Sequence, residues 1–296
     1  MNRTNGVQGM DGWSCPYCRG ETKLKYTIPP HPFLYCTHCG LHFRARRPDE
    51  VSRLLQYYET RYYDRDAHDQ LSGQRDRIYA DILDILDKEH PDRGDLLDVG
   101  CGCGIFLGMA QQRGWRVAGV DLSQKSVDHA RLLLGDKVSR AGIADYNPHR
   151  SFDAVTAINV LDHLAAPWHD LRKIRRLMKG GGHILLRFTN GAFHPPLIRL
   201  FLALGLMNRM GKYLVYHEFS FSPGFMRRML SDLHFTDVQV MGAKTADTGH
   251  SWERRLTTYA YKIVSRLSNQ RWVWTPSLLA TAKKGHGITE TPVLWA

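Results

Sequence analysis

Short apolar runs alternate with amphipathic stretches between residues 95 and 190 of the chain. The apolar runs predict strands, because each is short and ends at glycine or a polar turn, and the amphipathic stretches predict helices. The predicted strands are 96–100, 115–121, 138–143, 152–160 and 183–188, and the predicted helices are 105–114, 124–134 and 168–178, the last ended by the glycines 180–182. Such alternation predicts a parallel sheet with helices on both faces.

The pattern changes beyond residue 190. The segment 191–222 carries an apolar helical stripe of Leu197, Phe201 and Leu204, which predicts an insert with its own helix. After it, the sequence predicts a helix at 223–233 and strands at 235–241 and 277–284. Between these two strands, a helical insert is predicted at 243–270 from one apolar face that comprises Trp252, Leu256, Tyr259, Ile263 and Leu267.

Composition divides the chain into a disordered tail (1–11), a Cys/His/Pro-rich segment (12–48), a helical linker or cap (49–93), an α/β domain (94–284) and a second tail (285–296). The segment 12–48 is too short to bury a core of its own and needs a cross-link. In the helical linker, apolar residues recur at helical spacing, namely Ile78, Ile82, Leu83, Ile85 and Leu86.

A glycine-rich loop, Gly100-Cys-Gly102-Cys-Gly104, lies where a predicted strand turns into a helix. Glycines let the backbone bend sharply and let a ligand approach it, and the helix N-terminus directs N–H groups at that ligand. The spacing does not match the G-x-G-x-x-G of dinucleotide-binding folds. Asp121 ends the next strand, where a carboxylate can accept hydrogen bonds from both ribose hydroxyls of a nucleoside. The combination predicts a nucleoside site without a pyrophosphate.

The segment 95–190 resembles class I S-adenosylmethionine (SAM)-dependent methyltransferases. LDVGCGCG resembles their first motif, GVDLS the second, AGIADY the segment that binds adenine, and FDAVTAINVLDHL and LMKGGGHILLRF the fourth-strand and fifth-strand motifs. The resemblance implies a Rossmann-like, seven-stranded α/β sheet that ends in an antiparallel hairpin, with Asp121 on the ribose and Asp145 on the adenine. The cofactor-binding residues that it implies are Asp98, Gly100, Gly102, Gly104, Asp121, Leu122, Asp145, Tyr146 and Asn159.

Two C-x-x-C units, Cys15/Cys18 and Cys36/Cys39, precede this domain. Four thiolates at this spacing predict a tetrahedral structural zinc site, and with four protein ligands no position is left open for catalysis. Three nearby histidines could replace one thiolate: His31, His38 and His42.

The segment 36–63 is also similar to the N-terminal module of a bacterial methyltransferase group, with zinc-binding cysteines and a proline-led helix, here from Pro48 to the paired Tyr57 and Tyr58. That group implies small-molecule, sugar, glycan or lipid acceptors. A different zinc-bearing relative methylates guanine in ribosomal RNA.

Candidate catalytic residues follow the fourth strand of the domain. His163 with its neighbour Asp162 is a candidate general base near neutral pH, and His217 in the insert is a second candidate. In ubiquinone-type O-methyltransferases the matching stretch reads E-x-x-E-H and can hold a divalent cation. Here it reads Asn159-x-x-Asp162-His163, without the first carboxylate. A base and a cation therefore both stay open. By this resemblance the insert 191–222 becomes the expected acceptor lid.

Charge is uneven along the chain. Residues 170–296 carry 19 Lys and Arg against 7 Asp and Glu, whereas residues 1–169 carry 21 against 22. Together with the apolar insert, this basic part favours an anionic or amphiphilic small-molecule, glycan or lipid-linked acceptor, with peripheral membrane contact as a further expectation. RNA is the alternative partner, because Trp252, Trp272 and Trp274 lie among arginines. A non-catalytic SAM-binding scaffold is the third hypothesis.

No signal peptide or membrane span is predicted, so we expect a cytoplasmic protein.

Overall fold

The computed structural model describes residues 13–45, 48–60, 63, 70–210, 217–243 and 275–285. The predicted tail at 1–11, the apolar stripe predicted within 243–270, and the tryptophans at 272 and 274 lie outside the described residues.

The central layer is a seven-stranded sheet with helices on both faces, which confirms the predicted fold class. Five strands are parallel and two form the predicted antiparallel hairpin at one edge. In spatial order they are β10 (Phe235–Gly242), β11 (Ser277–Lys284), β8 (Met178–Thr189), β7 (Phe152–Ile158), β4 (Asp95–Val99), β5 (Arg116–Asp121) and β6 (Val138–Arg140).

The helices described in the structure are α1 (Pro48–Thr60), α2 (Asp76–Glu89), α3 (Ile105–Gln112), α4 (Gln124–Leu134), α5 (Pro167–Leu177), α6 (His194–Ala203), α7 (Met207–Met210) and α8 (Pro223–Asp232). Ser123 caps α4 as predicted, because its side chain accepts a hydrogen bond from the Ser126 N–H. Ser222 caps α8 in the same way through Phe225. None of the helices among the described residues is long and apolar enough to cross a bilayer.

The boundary between α5 and β8 differs from the prediction. The helix ends at Leu177, and the three glycines predicted to interrupt the chain belong to the strand. A side chain at Gly182 would lie 3.0 Å from the carbonyl oxygens of Asp153 and Lys179, so glycine allows this close strand approach. The pairing of β7 with β8 shifts register at this point. The glycines therefore form a bulged start of the strand.

The strand predicted at 138–143 is also shorter than expected. It ends at Arg140, after which Ala141 donates its N–H to the carbonyl of Asp121 at 3.1 Å. The following residues form a turn in which the N–H groups of Asp145 and Tyr146 both donate to the Gly142 carbonyl at 3.1 Å. Turn hydrogen bonds thus replace ladder hydrogen bonds from residue 142 onward.

The cysteine-rich segment forms a second sheet that includes a strand from the α/β domain. Its strands are β1 (Thr22–Ile28), β2 (His31–Cys36), β3 (His42–Arg44) and β9 (Phe219–Ser220), in that order. In the β3–β9 pair, His42 lies opposite Ser220 and Phe43 opposite Phe219. Buried side chains of this module, including Tyr17 and Leu41, belong to the same apolar core as buried side chains of the α/β domain. The short segment therefore completes its core on its neighbour.

The insert helix α6 contacts this second sheet. Ile198, which is fully buried, forms a cluster with Tyr26 and Phe33 of the β1–β2 hairpin. The predicted stripe was partly wrong, since Leu204 is 59% exposed whereas Leu197 and Phe201 are partly buried. The buried face is offset because the helix ends at Ala203, before the last residue of that stripe.

The four cysteines converge at one end of this sheet. Their sulfur atoms lie within 4.8 Å of one another, with 3.6 Å between Cys15 and Cys39 and 3.5 Å between Cys18 and Cys36. Tetrahedral Zn–S bonds of about 2.3 Å would separate the sulfurs by about 3.8 Å, so the donor set fits zinc. The predicted histidine substitutes are not in this group.

We expect the double variant Cys36→Ser/Cys39→Ser to lose its zinc, because removing two of four thiolates leaves no tetrahedral site. Atomic absorption would measure less than 0.2 zinc per chain in the variant, roughly the background of a chain with two thiolates, against about one in the parent. Proteolysis in the β1–β3 hairpins should accelerate as well. Full zinc occupancy in the variant would refute the assignment.

Candidate functional site

The glycine loop follows β4 and is held against the end of β5. Gly100 and Gly102 have φ values of 71° and 53°, in the left-handed region that favours glycine. The N–H of Gly102 donates to Oδ2 of Asp121 at 2.9 Å, and the N–H of Ser123 donates to Oδ1 at 2.9 Å. The two N–H groups thereby fix the carboxylate in position at the end of β5.

A cavity of about 430 Å³ opens above this loop. Its lining crosses the carboxyl ends of four adjacent strands, β6, β5, β4 and β7, which is the usual ligand position of open α/β sheets. Seven of the nine predicted cofactor residues line it, namely Asp98, Gly100, Gly102, Asp121, Leu122, Asp145 and Asn159. The predicted base His163 lines it too.

Gly104 and Tyr146 do not line the cavity. A side chain at Gly104, where φ is 80°, would lie 3.0 Å from Ala130 and Leu134 of α4. Glycine is required there by packing between α3 and α4. Tyr146 is half-buried and packs against the main apolar core. The cofactor contacts predicted for these two residues have no support in the cavity geometry.

Residues of the helical linker form a wall of the cavity that the sequence did not predict. Gln70 accepts a hydrogen bond from the Cys103 N–H at 2.8 Å, and its amide fills the space where a Gly102 side chain would lie. The other linker residues of this wall are Glu59, Tyr63, Arg75 and Tyr79. The only feature of the sequence that could have indicated this wall is the position of the polar linker immediately before the glycine-loop domain.

Asp98 lies beneath the loop and is 3% exposed. Burial raises its pKa to about 7, against the lowering effect of the Thr156 hydroxyl, which donates to Oδ1 at 2.6 Å; the charge of Asp121 adds to the rise. Asp98 therefore carries a proton in a large fraction of molecules near neutral pH.

Asn159 follows β7 with a φ of 59°. Its side-chain oxygen accepts a hydrogen bond from Arg187 of β8, and its N–H donates to the Arg187 carbonyl at 2.8 Å. Arg187 is 6% exposed, and burial lowers its pKa to about 10, so it remains a cation at neutral pH. The arginine fixes Asn159 at the cavity wall.

The predicted catalytic residues come together although they lie far apart in the sequence. His217 Nε2 is 3.6 Å from Asp162 Oδ2, and the rings of His163 and His217 are edge to face with centroids 4.1 Å apart. Asp162 is 1% exposed. Burial would raise its pKa, but His217, His163 and the Thr189 N–H, which donates to Oδ2 at 3.1 Å, hold the pKa below the ordinary value. Asp162 is thus a buried carboxylate between two imidazoles.

A third histidine, His194, lies near this group. His194 is 2% exposed, and its Nε2 is 3.0 Å from the Pro276 carbonyl. Burial lowers the pKa of His194 to about 4, although that carbonyl acts in the opposite direction. It is neutral at pH 7 and donates to the carbonyl, so its role is structural.

Comparison with known proteins points to one family. Residues 71–240 match the profile of a methyltransferase domain family. A ubiquinone biosynthesis O-methyltransferase of Idiomarina loihiensis is 28% identical over 155 residues, which cover 50% of this chain and 63% of that protein. The same enzyme of Dechloromonas aromatica is 35% identical over 118 residues, covering 37% of this chain and 49% of that protein. The chain thus spans about half to two thirds of the length of these curated relatives.

Solved structures agree at the level of the fold. The plantazolicin methyltransferase BpumL, in complex with the demethylated cofactor S-adenosylhomocysteine (SAH), superimposes with a TM-score of 0.51 at 14% identity and covers 80% of this chain and 98% of that one. Since the matched residues include the glycine loop, Asp121 and the group of Asp162, His163 and His217, the sequence match covers most of the cavity. The chain belongs to the methyltransferase domain family.

Proposed function

We propose that the protein transfers the methyl group of SAM to a small-molecule acceptor. The observation that carries this proposal is that one cavity is lined by the glycine loop and Asp121 together with Asn159 and His163. Because β4 lies between β5 and β7, a nucleoside held at Asp121 would extend across the loop toward His163. The O-methyltransferase relatives support the same reaction class.

The cofactor side of the cavity comprises the loop and the ends of β5 and β6. Asp121 would accept hydrogen bonds from the two ribose hydroxyls, with Asp145 near the adenine and the Gly100–Gly102 backbone along the methionine part. Gln70 would keep the loop in shape through the Cys103 N–H. When bound, SAM supplies a methyl group on a sulfonium, so the donor needs no further activation.

The acceptor side comprises Asn159, His163 and the cluster behind them. The protein aligns the acceptor atom with the methyl group, and such alignment contributes up to about 7–11 kcal/mol in favourable cases. An acceptor hydroxyl must also lose its proton during transfer. His163 presents an imidazole at this wall for that activation, and Asp162 and His217 lie directly behind it.

For the acceptor, we favour an amphiphilic or anionic small molecule, a glycan or a lipid-linked compound over RNA. The support is the apolar helix α6 of the insert 191–222, which we propose as the acceptor lid, together with the basic C-terminal part. RNA-binding surfaces combine basic residues with aromatic side chains and fewer aliphatic ones. The aromatic residues in question, such as Trp252, lie outside the described residues, so a direct experiment is needed.

We expect Asp121→Ala to weaken binding of SAH by about 1.5–3 kcal/mol, or roughly 10- to 150-fold, because charge-assisted hydrogen bonds to the ribose are lost. Isothermal calorimetry measures the effect. The matched control is Asp136→Ala, an exposed aspartate in the turn after α4, which should bind like the parent. An affinity of Asp121→Ala within twofold of the parent would exclude this residue from the cofactor site.

We expect the full chain to transfer labelled methyl groups from SAM into a metabolite and lipid extract of the source organism, and not into total RNA. Transfer should fall at least 10-fold in Asp121→Ala, in line with its weaker cofactor binding. Label in RNA that is lost when Trp252 and Arg255 are replaced by alanine would favour the RNA alternative. Tight SAH binding with label in neither pool would favour the scaffold hypothesis.

A further inference from the structure

We propose that a second cavity, at the base of the insert 191–222, binds the phosphate group of a small molecule. This cavity has a volume of about 300 Å³ and shares no described lining residue with the cavity above the glycine loop. Its volume is at the lower end of the range of small-molecule sites, roughly 300–1,000 Å³. The proposal rests on the proposed function only for what the ligand does there, and not for where it binds.

The cysteine module and both ends of the insert meet at this second cavity. The first three strands of the module each contribute one residue, namely Lys25 of β1, Tyr35 of β2 and His42 of β3. Beyond Gly40 in the turn before β3, the other lining residues are Gly191, Ala192, Pro196 and Arg199 at the start of the insert and Ser222 at its end. A ligand bound here would therefore contact the module and the insert together.

Two cationic side chains line the second cavity, and none of its described lining residues is acidic. The ammonium of Lys25 lies over the Tyr35 ring, 4.9 Å from its centroid, and Arg199 is an exposed residue of α6. Neither cation forms an ion pair with a carboxylate among the described residues. Arginine and lysine are the usual cationic ligands of phosphate, the first as a fork of N–H donors and the second as a point charge. The charge of this site therefore selects an anion.

His42 supplies an independent observation. Its Nδ1 atom is buried and has no hydrogen-bond partner among the described residues. Burial lowers the pKa of His42 to about 4, and the charge of Lys25 adds to this effect, so the ring is neutral at pH 7. A buried ring nitrogen without a partner is unfavourable. A phosphate oxygen in the cavity that His42 lines would accept a hydrogen bond from Nδ1–H.

The remaining polar groups favour phosphate over carboxylate as the bound anion. Ser222 Oγ accepts the Phe225 N–H at 3.2 Å as the cap of α8, so its own O–H is left to donate. Tyr35, whose ring contacts that of His42 with centroids 4.7 Å apart, provides a second hydroxyl. Together with the two cations and the imidazole, the site has more donors than the two oxygens of a carboxylate need. A phosphate monoester presents three strong acceptor oxygens.

The location of the site gives the ligand a role in positioning the insert. The Gly191 N–H donates to the Phe221 carbonyl at 2.9 Å, so the start and the end of the insert lie side by side. A phosphate between Lys25 and Arg199 would tie α6 to the sheet of the module. Ser222 lies five residues after His217, at most about 17 Å away at roughly 3.3 Å per residue. The phosphate can therefore belong to the acceptor itself or to a separate small molecule.

Inorganic phosphate tests the site. The zinc-loaded full chain is saturated with SAH, so that the first cavity is filled, and is titrated with phosphate while ³¹P nuclear magnetic resonance measures the bound fraction. We expect about one bound phosphate per chain. Lys25→Met keeps an apolar stem and removes the charge, and it should weaken binding at least about 10-fold, the usual effect of losing a charged hydrogen bond. Arg199→Met should weaken binding about two- to fivefold, because this residue is exposed.

The matched control is Lys23→Met, which removes the same charge from the same strand outside the cavity and should bind like the parent. The site is refuted if the parent binds no phosphate. It is also refuted if Lys23→Met and Lys25→Met weaken binding equally, since that result indicates unspecific attraction to a chain of net charge +11. Zinc content and SAH binding like those of the parent verify that each variant is folded. Should Lys25→Met fail to fold, the exposed Arg199→Met decides the question.

Methyl transfer into the extract, measured with and without added phosphate, identifies the source of the bound group. Inhibition by phosphate that is lost in Lys25→Met assigns the site to a phosphate of the acceptor. Unchanged or faster transfer by a parent that binds phosphate assigns it to a separate small molecule. A parent that binds no SAH would contradict the proposed function, whereas its phosphate titration against the Lys23→Met and Lys25→Met variants would still decide whether the site exists.

Discussion

The pairing of β3 with β9 joins the cysteine module to the α/β domain through backbone hydrogen bonds, in addition to the apolar core that the two share. Strand β9 has only two residues, yet it adds a segment of the α/β domain to the sheet that the cysteines hold together. An isolated two-residue strand has no stability of its own, because its few hydrogen bonds do not offset the backbone entropy lost on ordering it. It persists because Phe219 in the strand and Phe221 directly after it are buried, and they pack against Trp168 and Phe188, respectively.

This contact makes the two sides of the cavity depend on different parts of the chain. The cofactor side is built within the α/β domain and its linker, from the glycine loop, Asp121 and Gln70. His217 lies behind His163 on the proposed acceptor side, and its segment is held by Arg44 and β3. Disturbing the cysteine module should therefore affect the acceptor side more than the cofactor side. A small metal-stabilised module can in this way set acceptor geometry while the cofactor site stays unchanged.

Local pattern was sufficient for most of the fold and for half of the site. The strands of the seven-stranded sheet, the Ser123 cap and the glycine loop with Asp121 follow from periodicity, turn residues and spacing within about 30 residues, whereas the strands of the second sheet were not predicted. The errors arose where tertiary contacts override local signals. The glycines before His183 belong to a strand because β7 passes close to them, and Gly104 serves helix packing instead of a ligand. No local sequence pattern distinguishes Gln70 from the other polar residues of the linker, so its contact with the glycine loop could not be predicted.

The grouping of His217 with Asp162 shows why a buried charge is informative where sequence spacing is not. A carboxylate that is 1% exposed is stable only if nearby donors or cations compensate it, because burying it alone costs several kcal/mol. The Thr189 N–H and the two imidazoles provide part of this compensation. Packing would be served as well by an apolar side chain, so a carboxylate at this position, directly behind the cavity residue His163, supports the chemistry proposed for that wall. The buried charge of Asp162 requires polar or cationic neighbours, and in this fold the insert 191–222 supplies one of them, His217.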